Sequence, residues 1–150
     1  MNIQLKNEFL TVTVNSMGAE LRSVKGADGT EYLWRGDAAL WGDHAPVLFP
    51  ICGRLTDGYC TVNGERYAPE AHGFFQHSET AVTGESGTSL TLTLEDSPAT
   101  RALYPFPFRL DMTYELEGRT LTVRGRVTNR GAAVLPFALG LHPGFSLPFA

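Results

Sequence analysis

Arg109-Leu110-Asp111-Met112-Thr113-Tyr114-Glu115-Leu116 and Leu121-Thr122-Val123-Arg124-Gly125-Arg126-Val127 both alternate apolar with polar or small residues, and Glu117-Gly118 stands between them. A period of two puts every second side chain on one face, so both runs read as half-buried strands of one hairpin. Working outward, Leu10-Thr11-Val12-Thr13-Val14 and Ser89-Leu90-Thr91-Leu92-Thr93-Leu94 repeat the pattern. These runs are rich in β-branched and aromatic residues, which suit a pleated surface with one wet face. Asn63-Gly64, between residues 59–62 and 65–67, supplies the positive φ angles of a tight hairpin. Asp28-Gly29 does the same between residues 21–24 and 32–34, and residues 135–139 read as a further strand. No stretch of a dozen residues shows a 3.6-residue period with caps at both ends. The expectation is an all-β domain of antiparallel hairpins over residues 1–150.

Composition narrows the function. The chain has 150 residues, enough for one domain, with 43% apolar and 19% charged residues, so it can bury a core. Lys plus Arg is 12 and Asp plus Glu is 16, a formal charge of −4 that argues against nucleic acid or an anionic membrane as partner. Two cysteines, Cys52 and Cys60, make no disulfide framework and read as small core fillers. The first residues lack the basic and apolar regions of a signal peptide, and the apolar stretch over residues 132–150 is broken by Pro136, His142, Pro143 and Pro148. A cytoplasmic protein with reduced thiols is expected.

Glycine and proline concentrate in residues 46–58, 104–107 and 136–148, which are irregular yet rich in apolar and aromatic side chains. Surface loops are normally polar, so apolar irregular segments that carry His or Arg are candidates for lining a cleft. The chain also closes on an apolar run, residues 140–150, without a polar tail, which reads as part of something longer.

Four histidines occur. His142, in Leu141-His142-Pro143, follows the expected strand 135–139, and His72, in Ala71-His72-Gly73-Phe74-Phe75, stands at the entry to another. A histidine held at a strand end beside Pro or Gly titrates near neutrality and suits proton transfer. The competing reading is a semi-buried ring bonded to a backbone carbonyl. His44 and His77 have polar neighbours and read as surface residues. Neither the His72-x4-His77 spacing nor the cysteines make a metal-ligand pattern. Arg54 follows the apolar run Pro50-Ile51-Cys52-Gly53. Its guanidinium either holds sugar hydroxyls or a phosphate, or pairs with Asp57 or Glu70. Trp34, Trp41, Phe49, Phe74, Phe75, Phe137 and Phe145 lie in the same segments, most of them suited to the core and some to stacking on a sugar face. There is no Gly-rich phosphate loop, GxSxG elbow or paired-carboxylate motif.

Taken in order, these segments resemble the aldose 1-epimerase (galactose mutarotase-like) superfamily, in particular its LacX-like branch. The resemblance is carried by Gly18-Ala19-Glu20-Leu21, Tyr32-Leu33-Trp34, Ala45-Pro46-Val47-Leu48-Phe49-Pro50-Ile51-Cys52-Gly53-Arg54-Leu55, the Asn63-Gly64 hairpin, Ala71-His72-Gly73-Phe74, Tyr104-Pro105-Phe106 and Leu139-Gly140-Leu141-His142-Pro143. It implies an antiparallel β-supersandwich, incomplete at its C-terminus, that opens a cyclic hexose and recloses it as the other anomer. By motif match His142 is the general acid, His72 the second histidine and Arg54 the sugar-binding arginine; Phe74, beside His72, is expected to bind substrate, and no cofactor is implied. Two positions depart from the family: Gly53 replaces an Asn that many members carry, and Gly144 replaces an aromatic residue two positions after the acid. The chain is also short, and the family's base, a glutamate, comes from the C-terminal part. Little or no activity is therefore expected of these 150 residues alone, with a homodimer covering the missing strands. Two alternatives accompany this reading, a hexose-6-phosphate 1-epimerase and a non-catalytic carbohydrate-binding or regulatory module.

Overall fold

A computed structural model describes residues 1–147; Pro148, Phe149 and Ala150, the end of the apolar run, lie outside the described residues. The first sheet is a three-stranded meander of β1 (Asn2–Lys6), β2 (Leu10–Asn15) and β3 (Glu20–Gly26). Asn7 closes its first turn, its side-chain oxygen accepting from the backbone N–H groups of Phe9 and Leu10. Three short strands follow, β4 (Val47–Leu48) and then the pair β5 (Cys60–Val62) and β6 (Glu65–Tyr67). Asn63 and Gly64 both take positive φ, 51° and 85°, as a two-residue hairpin turn requires.

The second sheet has the order β10-β9-β8-β7, from β7 (Ala81–Glu85), β8 (Ser89–Glu95), β9 (Phe108–Glu117) and β10 (Thr120–Asn129). The alternating runs 109–116 and 121–127 form the β9–β10 hairpin, paired without interruption from Phe108↔Asn129 to Glu117↔Thr120. Its turn is Gly118-Arg119, one residue later than the Glu117-Gly118 expected, because Gly118 takes the positive φ. Alternation is strict on β9: Phe108, Leu110, Met112, Tyr114 and Leu116 are buried, and the residues between them are not. These side chains meet Ile3, Leu5, Val12 and Val14 of the first sheet in one core. Roughly 1.5–3 kcal/mol per fully buried large apolar side chain explains why this face sets the register.

Three local expectations are corrected. Residues 135–139 form no strand; Leu135 and Leu139 pack as irregular chain against the core, and the strand is the next pair, β11 (Gly140–Leu141). Asp28-Gly29 makes a tight turn but no full hairpin, only an isolated bridge between Lys25 and Glu31. A helix is present, α1 (Pro98–Leu103), too short for a periodicity search. It is nucleated by a capping box in which Ser97 and Thr100 satisfy each other's backbone N–H, with Pro98 at its first position. Cys52 is exposed rather than a core filler, and Cys60 is half-buried; both are free thiols. No described helix is long and apolar enough to cross a membrane.

Candidate active site

Phe49 is the fixed point from which the site is built. It is fully buried, edge-on to Phe74 and Tyr104 and tilted against Phe108, and the peptide after it is cis. Its carbonyl accepts from the backbone N–H groups of Phe74 (3.0 Å) and Phe75 (3.2 Å), which lays residues 72–75 alongside residues 48–50. Gly73 runs so close to that carbonyl that a Cβ would overlap it, and its φ of +75° is one that L side chains avoid. His72 therefore enters a turn followed by a 3-10 helix, Phe75–His77, and not the strand expected from the sequence.

His72 itself has φ +67°, unusual for a residue with a side chain, and is held by a reciprocal pair of bonds. Its N–H donates to the Gly53 carbonyl at 2.8 Å, and the Gly53 N–H donates to His72 Nδ1 at 3.0 Å. Because Nδ1 accepts, the neutral ring carries its proton on Nε2. Among the described residues that Nε2–H has no hydrogen-bond acceptor, which leaves it for a ligand oxygen.

His142 arrives from the other direction. β11 pairs with β4 through Gly140↔Leu48 and Leu141↔Val47, and the His142 N–H extends the ladder to the Pro46 carbonyl at 3.1 Å. This places the His142 ring 6.2 Å from the His72 ring, centroid to centroid, although 70 positions separate them in the chain. The Trp41 ring lies 5.1 Å from the His142 ring, centroid to centroid. Trp41 is anchored by its carbonyl, which accepts from the Trp34 indole N–H at 2.8 Å. His142 is exposed and neither of its ring nitrogens is hydrogen-bonded among the described residues.

The other candidates divide. Arg54 is exposed, directly follows the Gly53 that clasps His72, and makes no ion pair among the described residues; neither Asp57 nor Glu70 neutralises it. Phe74 is placed differently from the sequence expectation: it is 9% exposed and packs among Phe49, Tyr104 and Phe108 in the core. His77 is exposed as expected, whereas His44 is half-buried and braced. Its N–H and that of Ala45 donate to Glu20 Oε1 at 2.7 and 3.0 Å, and Arg22 bridges Glu20 and the His44 ring at 2.9 Å each. Glu20 thus ties the first sheet to the segment that leads into β4, a role that the Gly18-Ala19-Glu20-Leu21 motif marked without explaining.

The whole of this chain, residues 1–150, matches the aldose 1-epimerase family. The chain belongs to that family. It is 33% identical to protein LacX of Lactococcus lactis subsp. lactis over 159 aligned positions, which cover 99% of this chain and 52% of LacX. A galactose mutarotase related enzyme from Lactobacillus acidophilus superposes with a TM-score of 0.96 at 37% identity, over 99% of this chain and 50% of that one. A galactose mutarotase-like protein from Lactobacillus casei gives 0.95 at 33% identity, over 100% and 51%. This aldose 1-epimerase family member therefore has the mutarotase-like antiparallel β fold and spans about half the length of the relatives it matches. The Gly144 departure acquires a physical reason here. A Cβ at residue 144 would lie 2.8 Å from Trp41 Cζ3 and 2.9 Å from Trp34 Cβ, so the Trp41 ring fills the space that a larger residue 144 would need.

Proposed function

We propose that this chain forms the sugar-binding, acid-supplying part of an aldose 1-epimerase that interconverts the α and β anomers of a free hexose. The observation that carries the reading is the His72–His142 pair, 6.2 Å apart, with a fixed Nε2–H on one ring and an unengaged imidazole on the other. Ring opening breaks the C1–O5 bond as O5 gains a proton and the O1 hydroxyl loses one, leaving an aldehyde; reclosure on the opposite face reverses both transfers. His142 in its protonated form is the donor to O5, His72 donates a hydrogen bond to a neighbouring hydroxyl, and the Arg54 fork holds others. The Trp41 ring, beside His142, offers an apolar face to the sugar's C–H groups. The family resemblance implies a glutamate base from the C-terminal part, beyond this half, and the lack of a positioned base costs about 10² to 10⁴ in rate.

The test pairs binding with turnover. Imidazole NMR signals of His72 and His142 are followed as glucose or galactose is added, and mutarotation of freshly dissolved α-glucose and α-galactose is followed by polarimetry. Saturable shifts of both rings with mutarotation near the spontaneous rate are expected. Rings indifferent to either sugar would sink the proposal. The guanidinium of Arg54, unpaired among the described residues, favours a second reading, a hexose 6-phosphate as substrate. Tighter binding of glucose 6-phosphate, weakened by salt, would select it.

A further inference from the structure

Backbone bonds join the segment that carries Trp41 to the segment that carries His142. The His142 N–H donates to the Pro46 carbonyl and, on the far side of Pro143, the Gly144 N–H donates to the His44 carbonyl at 2.8 Å. The peptide between His44 and Ala45 is trans, so its C=O and N–H point to opposite sides of one rigid plane. Its C=O takes the Gly144 N–H, and its N–H, that of Ala45, donates to Glu20 Oε1 at 3.0 Å. The His44 N–H ends on the same oxygen at 2.7 Å. A bond to a carboxylate is charge-assisted, and it polarises the peptide so that the carbonyl beyond it accepts more strongly. Glu20 is itself held fast. Its side chain is 13% exposed and its Oε2 pairs with Arg22 at 2.9 Å. The preceding carbonyl, that of Ala19, accepts from the buried Tyr114 hydroxyl, and Gly18 runs so close to the Gln76 backbone that a Cβ would overlap it.

We propose that Glu20 is a positioning residue for the candidate site: through the peptide between His44 and Ala45 it sets where the His142 and Trp41 rings stand, with a hydrogen bond to neither. That these two rings meet a sugar rests on the function proposed above, whereas the bracing does not. The reach of the side chain matters more than its charge, because both N–H groups converge on one oxygen. Glu20→Gln keeps an acceptor oxygen at that place and gives up the ion pair with Arg22. Glu20→Asp keeps the charge and withdraws the oxygen by one methylene. Arg22→Ala removes the guanidinium and leaves the two backbone bonds in place.

The experiment compares these variants and Glu20→Ala in the 150-residue chain. Without sugar, NMR reads the NOEs between the Trp41 and His142 ring protons and the amide shifts of His142 and Gly144; calorimetry then reads galactose affinity. Glu20→Ala and Glu20→Asp should lose the ring NOEs, move the Gly144 amide upfield and weaken galactose binding about tenfold. Glu20→Gln and Arg22→Ala should keep the NOEs and bind within about threefold of wild type. If Glu20→Ala does not fold, the contrast between Asp and Gln decides the matter. A Glu20 that only stabilises the fold would lower the urea midpoint in Ala and Asp yet leave the ring NOEs of the folded protein intact, and that result would overturn the proposal. So would loss of the NOEs in Glu20→Gln as fully as in Glu20→Asp. A wild type indifferent to galactose, with ring contacts that depend on Glu20 as described, would sink the sugar reading and still support the brace.

Discussion

His72 and Gly53 hold each other by two hydrogen bonds, the backbone of each serving the other, and the second of these ends on His72 Nδ1. One contact thus sets the ring's tautomer, fixes its orientation and ties it to the residue preceding Arg54. Its left-handed φ costs a residue with a side chain about 1 kcal/mol or more, and the clasp together with the Phe49 carbonyl bonds holds it there. Local strain is offset by hydrogen bonds that converge on the same turn.

Gly73→Ala should destabilise the protein by about 3 kcal/mol, since it adds a Cβ against the Phe49 carbonyl at a positive φ. Urea unfolding should show a lower midpoint with an unchanged slope. A variant as stable as the wild type would mean that the turn can separate from residue 49.

His72→Asn separates backbone from imidazole, because Asn tolerates the left-handed region better than most residues. We expect unfolding within about 1 kcal/mol of wild type and at least a tenfold loss of sugar affinity. Affinity retained at full stability would remove His72 from the site.

Trp41→Ala tests the ring beside His142. Trp41 is half-buried and outside the main core, so its loss should leave most of the stability while weakening galactose binding several-fold. Binding measured by tryptophan fluorescence, with Trp34 as the remaining reporter, or by calorimetry would decide it. A Gly144→Phe variant should misfold or displace the indole, because that space is filled.

Alkali should unfold the protein in a window set by two tyrosines. Burial pushes the phenols of Tyr104 and Tyr114 above their ordinary value, with the Glu20 charge adding to the effect at Tyr114. The unfolded chain therefore releases these protons first as pH rises, so stability is fully present below about pH 10 and falls above it. Tyr114 donates to the Ala19 carbonyl and Tyr104 to that of Pro136. Tyr104→Phe should cost about 1 kcal/mol near neutrality and flatten the decline above pH 10. A profile unchanged by either Tyr→Phe substitution would count against this assignment.

Much of this protein is legible in its sequence because the deciding signals are local. The alternation of residues 109–116 and 121–127 reports which side of a strand meets the core, and Asn63-Gly64 reports a turn through backbone sterics alone. Strand-end and post-apolar placement singled out His72, His142 and Arg54, and the order of the motifs led to the family, whose pattern points to the same three positions. Where a segment's conformation is set by distant partners, local reading failed. Residues 135–139 look like a strand but lie as irregular chain against the core, and Phe74, expected to bind substrate, is packed behind Phe49.

What tertiary structure alone decided is how pieces far apart in the chain meet. The β4–β11 ladder brings His142 to His72, Gly53 fixes which ring nitrogen of His72 carries the proton, and Trp41 fills the space vacated at Gly144. Glu20 braces His44 across 24 positions for the same reason. Side-chain period is a property of neighbouring residues and survives in the one-dimensional string. The approach of two loops depends on loop closure and packing over the whole core, and no window of the sequence contains that free energy.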